Sequence, residues 1–171
     1  LRTRSVSIVT EWASGDSSTA GGWRRDALVI ALHMFRDNFV TGVGLTQQLQ
    51  LWGKYAALEY AYMVALPIHN DYLLLGIELG VLGPLLLILL LVTAWRTARG
   101  VQRHFAARGQ ADLLDLANAT EIVLVAMAVN MMLYPIVHNN RYFFLLLAII
   151  GALHRVALDQ REAPPASRAA G

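Results

Sequence analysis

The sequence predicts an all-α, polytopic membrane protein with about three transmembrane helices and a helical cap on one face of the membrane. Hydrophobic residues make up 56% of the 171 residues and charged residues only 15%, whereas a soluble domain carries about 25% charged residues. Long apolar runs also alternate with short arginine-rich segments, a pattern typical of membrane helices and their flanking loops.

Charge and cysteine content exclude some other classes. The net charge of +2 is too small to predict nucleic-acid binding. The chain has no cysteine, which excludes disulfides and cysteine-ligated metals. It begins at Leu1 without a cleavable signal pattern, and we expect it to be the C-terminal part of a longer protein.

Residues 1–71 are predicted to form the cap. The Ser-, Thr- and Gly-rich stretch 1–22 reads as loop. An amphipathic helix should follow, and Gly42 and Gly44 should end it. Its uncharged part, Ala27 to Phe35, is shorter than the ~20 residues that a bilayer requires, so we expect it at the membrane surface. The apolar residues at helical spacing are Leu28, Ala31, Leu32 and Phe35.

The remainder of the chain is predicted to cross the membrane three times. The spans are residues 72–95, 116–137 and 142–158, joined by a polar loop at 96–115 and a tight turn at 138–141, and followed by a disordered tail at 159–171.

Arginines set the predicted orientation. Four of them lie in the 96–115 loop and one in the 138–141 turn. The positive-inside rule therefore places that loop and the tail in the cytoplasm. Residues 1–71 and the turn then face outward, which is the periplasm in a bacterium with two membranes. His69 and His138 consequently lie on the same side.

The stretch PIHNDYLLLGIELGVLG, residues 67–83, carries several candidate site residues. His69 and Asn70 stand at the mouth of the first predicted span, and Glu78 lies within it. An ionisable group inside a span is costly and suggests function. Alternatively, His69 is an interfacial turn residue and Glu78 the structural partner of an arginine elsewhere.

Glycines and arginines supply two further candidate features. On a continuous helix, Gly76, Gly80 and Gly83 share one face, which predicts close helix packing. Arg24 and Arg25 open a predicted helix, where guanidinium groups and helix amides favour a phosphate; a solvated helix end is the alternative. The sequence shows neither metal-ligand spacing of His and carboxylates nor a nucleotide-type phosphate loop.

Together these motifs resemble the O-antigen ligase/polymerase family of bacterial inner-membrane proteins. That family shows an arginine, an acidic residue and Gly-Val-Gly, similar to Arg24, Asp37 and the glycines at 42 and 44. It then shows His-Asn-x-Tyr-Leu and Glu-x-Gly-x-x-Gly, similar to HNDYL and ELGVLG. Phe39 departs from the family pattern, which usually has proline there, and Leu28 stands where an aromatic residue is frequent.

The resemblance implies a metal- and cofactor-independent glycosyltransferase. It would move a glycan from undecaprenyl diphosphate to a lipid A–core or other acceptor hydroxyl in the periplasm. Arg24, with Arg25 beside it, would grip the diphosphate. His69 would act as the base or position the acceptor. Asn70 would orient His69 or a sugar hydroxyl, and Glu78 would support substrate binding. A polysaccharide polymerase, a protein oligosaccharyltransferase and, from another class, a membrane transporter are the alternatives.

Overall fold

A computed structural model describes residues 20–56, 68–134 and 141–162, with side chains from Arg24 onward. These residues form six helices and no strand, which confirms the all-α prediction for the described ranges. The helices are α1 Ala20–Asp37, α2 Gln48–Tyr55, α3 Asp71–Leu79, α4 Leu82–Ala107, α5 Ala111–Asn130 and α6 Arg141–Glu162. Two compact units divide within α4, between Leu86 and Leu87.

The first unit packs α1 against α2 and α3. Ile30, Ala31 and Met34 of α1 are buried, at the spacing of one helical face. They lie in one apolar core with residues of the other two helices and of the segment before α3, namely Trp52, Ile68, Leu74 and Ile77. The amphipathic helix is therefore present, but its buried face is rotated from the predicted one.

Two residues of α1 illustrate that rotation. Leu32 is 48% exposed, although we expected it to pack, and the adjacent His33 is exposed as well. The reason is that Met34 and Ile30, four residues apart, define the stripe that faces α3, and Leu32 and His33 point away from it.

The first predicted span is not one continuous helix. Gly80 adopts a φ of +68° and separates α3 from α4, so the expected helix over 72–95 is broken at Gly80. The amide of Val81 donates to the carbonyl of Phe39 at 2.7 Å instead of continuing the α3 hydrogen-bond ladder. This long-range bond, available only because a glycine accepts positive φ, explains the break.

The second unit is built from α4, α5 and α6. Its core joins side chains from all three helices: Val101, Phe105, Ala117, Leu153 and Ala157. Between α4 and α5, Glu121 accepts hydrogen bonds from Trp95 Nε1 at 2.8 Å and Gln102 Nε2 at 2.6 Å. Interdigitated side chains and polar contacts such as those of Glu121 therefore hold this unit together.

The segment 96–115, expected to be a loop, is mostly helical. Helix α4 continues through Ala107 and α5 begins at Ala111. Arginine, glutamine and alanine are good helix formers, and polarity alone does not end a helix. The chain turns at Gly109, which has a φ of +65°. Where the membrane boundary falls along these helices stays a prediction.

Two of the described helices, α4 and α6, are long and apolar enough to cross a membrane. In the most apolar 18-residue stretch of each helix, only 22% (α4) and 28% (α6) is buried. The core helix of a soluble protein would be mostly buried. Helix α5 contains Asp112, Asp115 and Glu121 and is not one of these two, so a third span stays a prediction. The predicted disordered tail, 159–171, is wrong at its start, because α6 continues through Glu162. The rest of that tail and the predicted turn residue His138 lie outside the described residues.

Candidate functional site

Backbone hydrogen bonds join two segments of the first unit. The amides of Val43 and Gly44 donate to the carbonyls of Ile77 and Glu78 at 2.7 and 3.0 Å. Carbonyls in the last turn of a helix lack partners within it, and these amides supply them at the end of α3. With the bond from Val81 to Phe39, residues 39–44 and 77–81 form a structure that we call the loop clasp.

Glycine is required on both sides of the loop clasp. Gly42 has a φ of +68°, and a Cβ there would collide with the carbonyl of Glu78. Gly80, also at +68°, approaches the carbonyl of Val40 in the same way. Any larger residue would have to push two backbone segments apart. The Gly-Val-Gly and Glu-x-Gly motifs are thus two halves of one contact.

The other two glycines of the predicted packing face serve different neighbours. A Cβ on Gly76 would lie 3.0 Å from the ring of Phe35 in α1. One on Gly83 would meet the carbonyl of Leu75. Because α3 ends before Gly80, the three glycines do not line a single helix as expected, although each one permits a close approach.

Glu78 is buried within the first unit. Its side chain is 1% exposed, and Oε1 accepts a hydrogen bond from the Thr46 amide at 2.8 Å. Thr46 itself has a φ of +61°, an uncommon conformation for a threonine. Because this carboxyl oxygen bonds directly to the backbone, Glu78 holds the chain in place just after the Gly-Val-Gly turn.

His69 and Arg24 interact electrostatically. Partial burial of His69, which immediately precedes the N-cap of α3, lowers the pKa of its imidazole below the usual 6.5, and the positive charge of Arg24 lowers it further. The two side chains are therefore in the same neighbourhood, although they are distant in sequence. At neutral pH the imidazole is predominantly uncharged and able to accept a proton.

Asn70 has a structural role that the sequence reading did not include. It is the N-cap of α3, and its Oδ1 accepts a hydrogen bond from the Leu73 amide at 2.9 Å. Asparagine is among the preferred N-cap residues. The cap fixes the start of α3, and His69 is the residue immediately before Asn70.

Arg24 and Arg25 lie in the second turn of α1, and both are exposed. We expected them to open a helix, but α1 begins at Ala20. The free amides of the helix N-terminus are therefore at least about one turn earlier, and the phosphate interpretation depends on the guanidinium groups themselves. Arg24 is the one that affects His69.

Several contributors to the site were missed by sequence reasoning. Asp71 is fully buried at the start of α3. Asn38 Nδ2 donates to the Met34 carbonyl at 2.9 Å and to the Tyr55 hydroxyl at 3.2 Å, joining the end of α1 to α2. Phe39 and Thr46 act through backbone groups, which no side-chain pattern reveals. Within the described ranges, no three His, Asp or Glu side chains are grouped to hold a metal ion.

Comparison with known proteins gives one family. The family model described as O-antigen ligase matches residues 2–97, more than half of the chain. The matched range includes Arg24, Arg25, His69, Asn70 and Glu78. No curated protein and no solved structure matches the chain. The chain therefore belongs to the O-antigen ligase family of membrane-associated, glycosyltransferase-like enzymes.

Proposed function

We propose that the protein containing this chain transfers a glycan from undecaprenyl diphosphate to a hydroxyl of lipid A–core, at the periplasmic face of the bacterial inner membrane. The observation that carries this proposal is that the positive charge of Arg24 lies near enough to His69 to lower the pKa of its imidazole. A cation for the diphosphate and a base for the acceptor are the two groups that such a transfer needs.

Arg24 is proposed to hold the donor diphosphate. Guanidinium binds phosphate oxygens in a bidentate manner, and Arg24 is exposed on α1, where a substrate can reach it. Negative charge develops on the diphosphate as the bond to the sugar breaks, and a fixed cation stabilises it. Arg25, its exposed neighbour, is assigned a supporting contact with the same group.

His69 is proposed to activate the acceptor. Its imidazole takes the proton of the acceptor hydroxyl while that oxygen attacks the anomeric carbon of the glycan. The bond from this carbon to the diphosphate oxygen breaks, and undecaprenyl diphosphate leaves. The lowered pKa of His69 favours this role because the unprotonated form predominates at neutral pH.

Asn70 and Glu78 are proposed to position the site. Asn70 fixes the start of α3 through its cap, and Glu78 holds Thr46 beyond the Gly-Val-Gly turn. A transporter would instead use Glu78 as a proton relay. The burial of Glu78 and its hydrogen bond to a backbone amide favour a structural role for this residue.

The proposal can be tested with lipopolysaccharide from a strain that lacks its O-antigen ligase but makes core and polymer. The full-length wild type should attach polymer to lipid A–core on a gel. His69→Ala and Arg24→Gln should not, whereas His33→Ala, an exposed histidine of α1, should act like the wild type.

Other outcomes would contradict the proposed acceptor or the proposed role of His69. Bare core with the wild type would contradict ligation to this acceptor, and longer polymer chains or glycosylated protein would then identify a polymerase or a protein oligosaccharyltransferase. Full activity of His69→Ala would contradict the role of the base.

A further inference from the structure

A cleft of about 420 Å³ lies between α4 and α6 in the second unit. Its walls carry basic groups, Arg96 from α4 and His154 and Arg161 from α6, together with apolar side chains such as Leu158. The lining contains no Asp or Glu. It belongs to a different unit from the residues of the proposed transfer site, and the proposed reaction does not use it.

The two arginines that line the cleft, Arg96 and Arg161, have N–H donors that no described residue accepts from. Arg161 uses Nε to donate to His104 Nδ1 at 3.4 Å, and Arg96 makes no hydrogen bond or ion pair with any residue that the structure describes. By contrast, Arg99 pairs with Glu121 and Arg155 with Asp159. The positive charge lining the cleft is therefore not neutralised by a carboxylate of its walls.

Helices α4 and α6 are also the two that could cross a membrane. Leu89 and Val92, one to two turns before Arg96 on α4, are 61% and 43% exposed. The Thr93 hydroxyl between them and Arg96 is bonded to the Leu89 carbonyl, so the basic groups are the main donors of the cleft. The exposed apolar surface of α4 therefore lies next to the basic cleft.

We propose that this cleft binds the phosphate headgroup of an anionic phospholipid. The guanidinium groups of Arg96 and Arg161 would hold the phosphate oxygens, and the acyl chains would lie along the exposed apolar side of α4. Basic pockets between membrane helices bind anionic headgroups in this manner, and arginine matches phosphate in a bidentate manner. The site is independent of the transfer reaction.

The test uses native mass spectrometry of the full-length protein titrated with phosphatidylglycerol or phosphatidylcholine. The wild type should bind phosphatidylglycerol more tightly. Arg96→Gln/Arg161→Gln should weaken that binding roughly tenfold or more, since each arginine near anionic lipid contributes substantially. Arg96→Gln alone should give an intermediate loss.

A matched control removes the same charge from the same two helices. Arg103→Gln/Arg155→Gln changes exposed arginines outside the cleft, and should alter phosphatidylglycerol binding by less than about twofold. Equal losses in both double variants, or equal wild-type affinity for the two lipids, would overturn the proposal. Displacement of phosphatidylglycerol by an equal concentration of inorganic phosphate would identify a site for a free anion and overturn it as well.

Discussion

The two units of this protein are stabilised in different ways. In the first, backbone amides of residues 43, 44 and 81 bond directly to backbone carbonyls across the loop clasp, and glycines make that approach possible. In the second, side chains such as Phe105 and Leu153 interdigitate between helices, and Gly100 and Gly151 have open space around them. A backbone contact fixes position closely but tolerates no added atom. The unit that carries the proposed site is therefore the one with least tolerance to substitution.

Replacing glycines in both units should give the largest contrast. Gly80→Ala forces positive φ on an alanine and drives its Cβ into the Val40 carbonyl, so we expect a loss of more than about 2 kcal/mol in the free energy of unfolding. Gly100→Ala should be neutral or stabilising by up to about 1 kcal/mol, because it lies in a helix with free space. Denaturant unfolding of the full-length protein in micelles measures both, and equal effects of the two substitutions would contradict the contrast.

Two glutamates, Glu78 in the first unit and Glu121 in the second, should also differ in how much they contribute to stability. We expect the larger contribution from Glu78. Glu78→Ala leaves the Thr46 amide without the acceptor it has now, and we expect a loss of about 2 kcal/mol in unfolding free energy. Glu78→Gln keeps an acceptor and should lose less.

Glu121→Gln in the second unit is the comparison for Glu78. Its side chain is 19% exposed and pairs with Arg99 at 3.6 Å, a geometry whose loss should amount to less than about 1 kcal/mol. The same unfolding measurement applies. A larger effect at Glu121 than at Glu78 would mean that side-chain polar contacts matter more than the loop clasp.

Asn70 should show a smaller effect, and one that conservative substitution can restore. Asn70→Ala removes the N-cap of α3 and should lower stability by about 1 kcal/mol. Asn70→Asp keeps the side-chain oxygen and should restore stability and glycan transfer together. Restored stability without restored transfer would show that the amide nitrogen has a separate role toward substrate.

The pH dependence should be the smallest effect. The pKa of His69 lies below 6.5 in the folded protein, so near and below pH 6.5 the unfolded chain binds more protons. The contribution of His69 to stability is therefore complete above pH 6.5. It declines as the pH falls through the folded-state pKa of His69. Transfer by a His69 base should decline over the same range.

Arg24→Gln sharpens this prediction. Removing that charge should move the acid limb of the residual transfer rate upward, toward pH 6.5, because Arg24 is one of the two causes of the lowered pKa. A pH–rate profile of both proteins measures the shift. An acid limb that does not move would show that Arg24 does not act on the titrating group.

Sequence reasoning predicted the helical class and the amphipathic helix α1, because the periodicity and charge of side chains indicate both; the site built on Arg24 and His69 stays a prediction. Sequence reasoning did not predict the break at Gly80. The Val81 amide that ends the helix bonds to Phe39, a partner far away in sequence. The helical state of residues 96–107 was missed because polarity was taken as a sign of loop. The rotation of the buried face of α1 depends on where α3 packs, which no local pattern encodes.

The central claim is that Arg24 and His69 act as one site, and a double-mutant cycle tests it most directly. Initial rates of glycan transfer from a purified undecaprenyl-diphosphate donor would be measured for the full-length wild type, Arg24→Gln, His69→Ala and the double variant. Each single change should slow transfer by about a hundredfold or more, and the double variant should lose little beyond the more severe single one, because residues that act as a unit are not additive. Losses that multiply, or a single variant with the wild-type rate, would contradict the account.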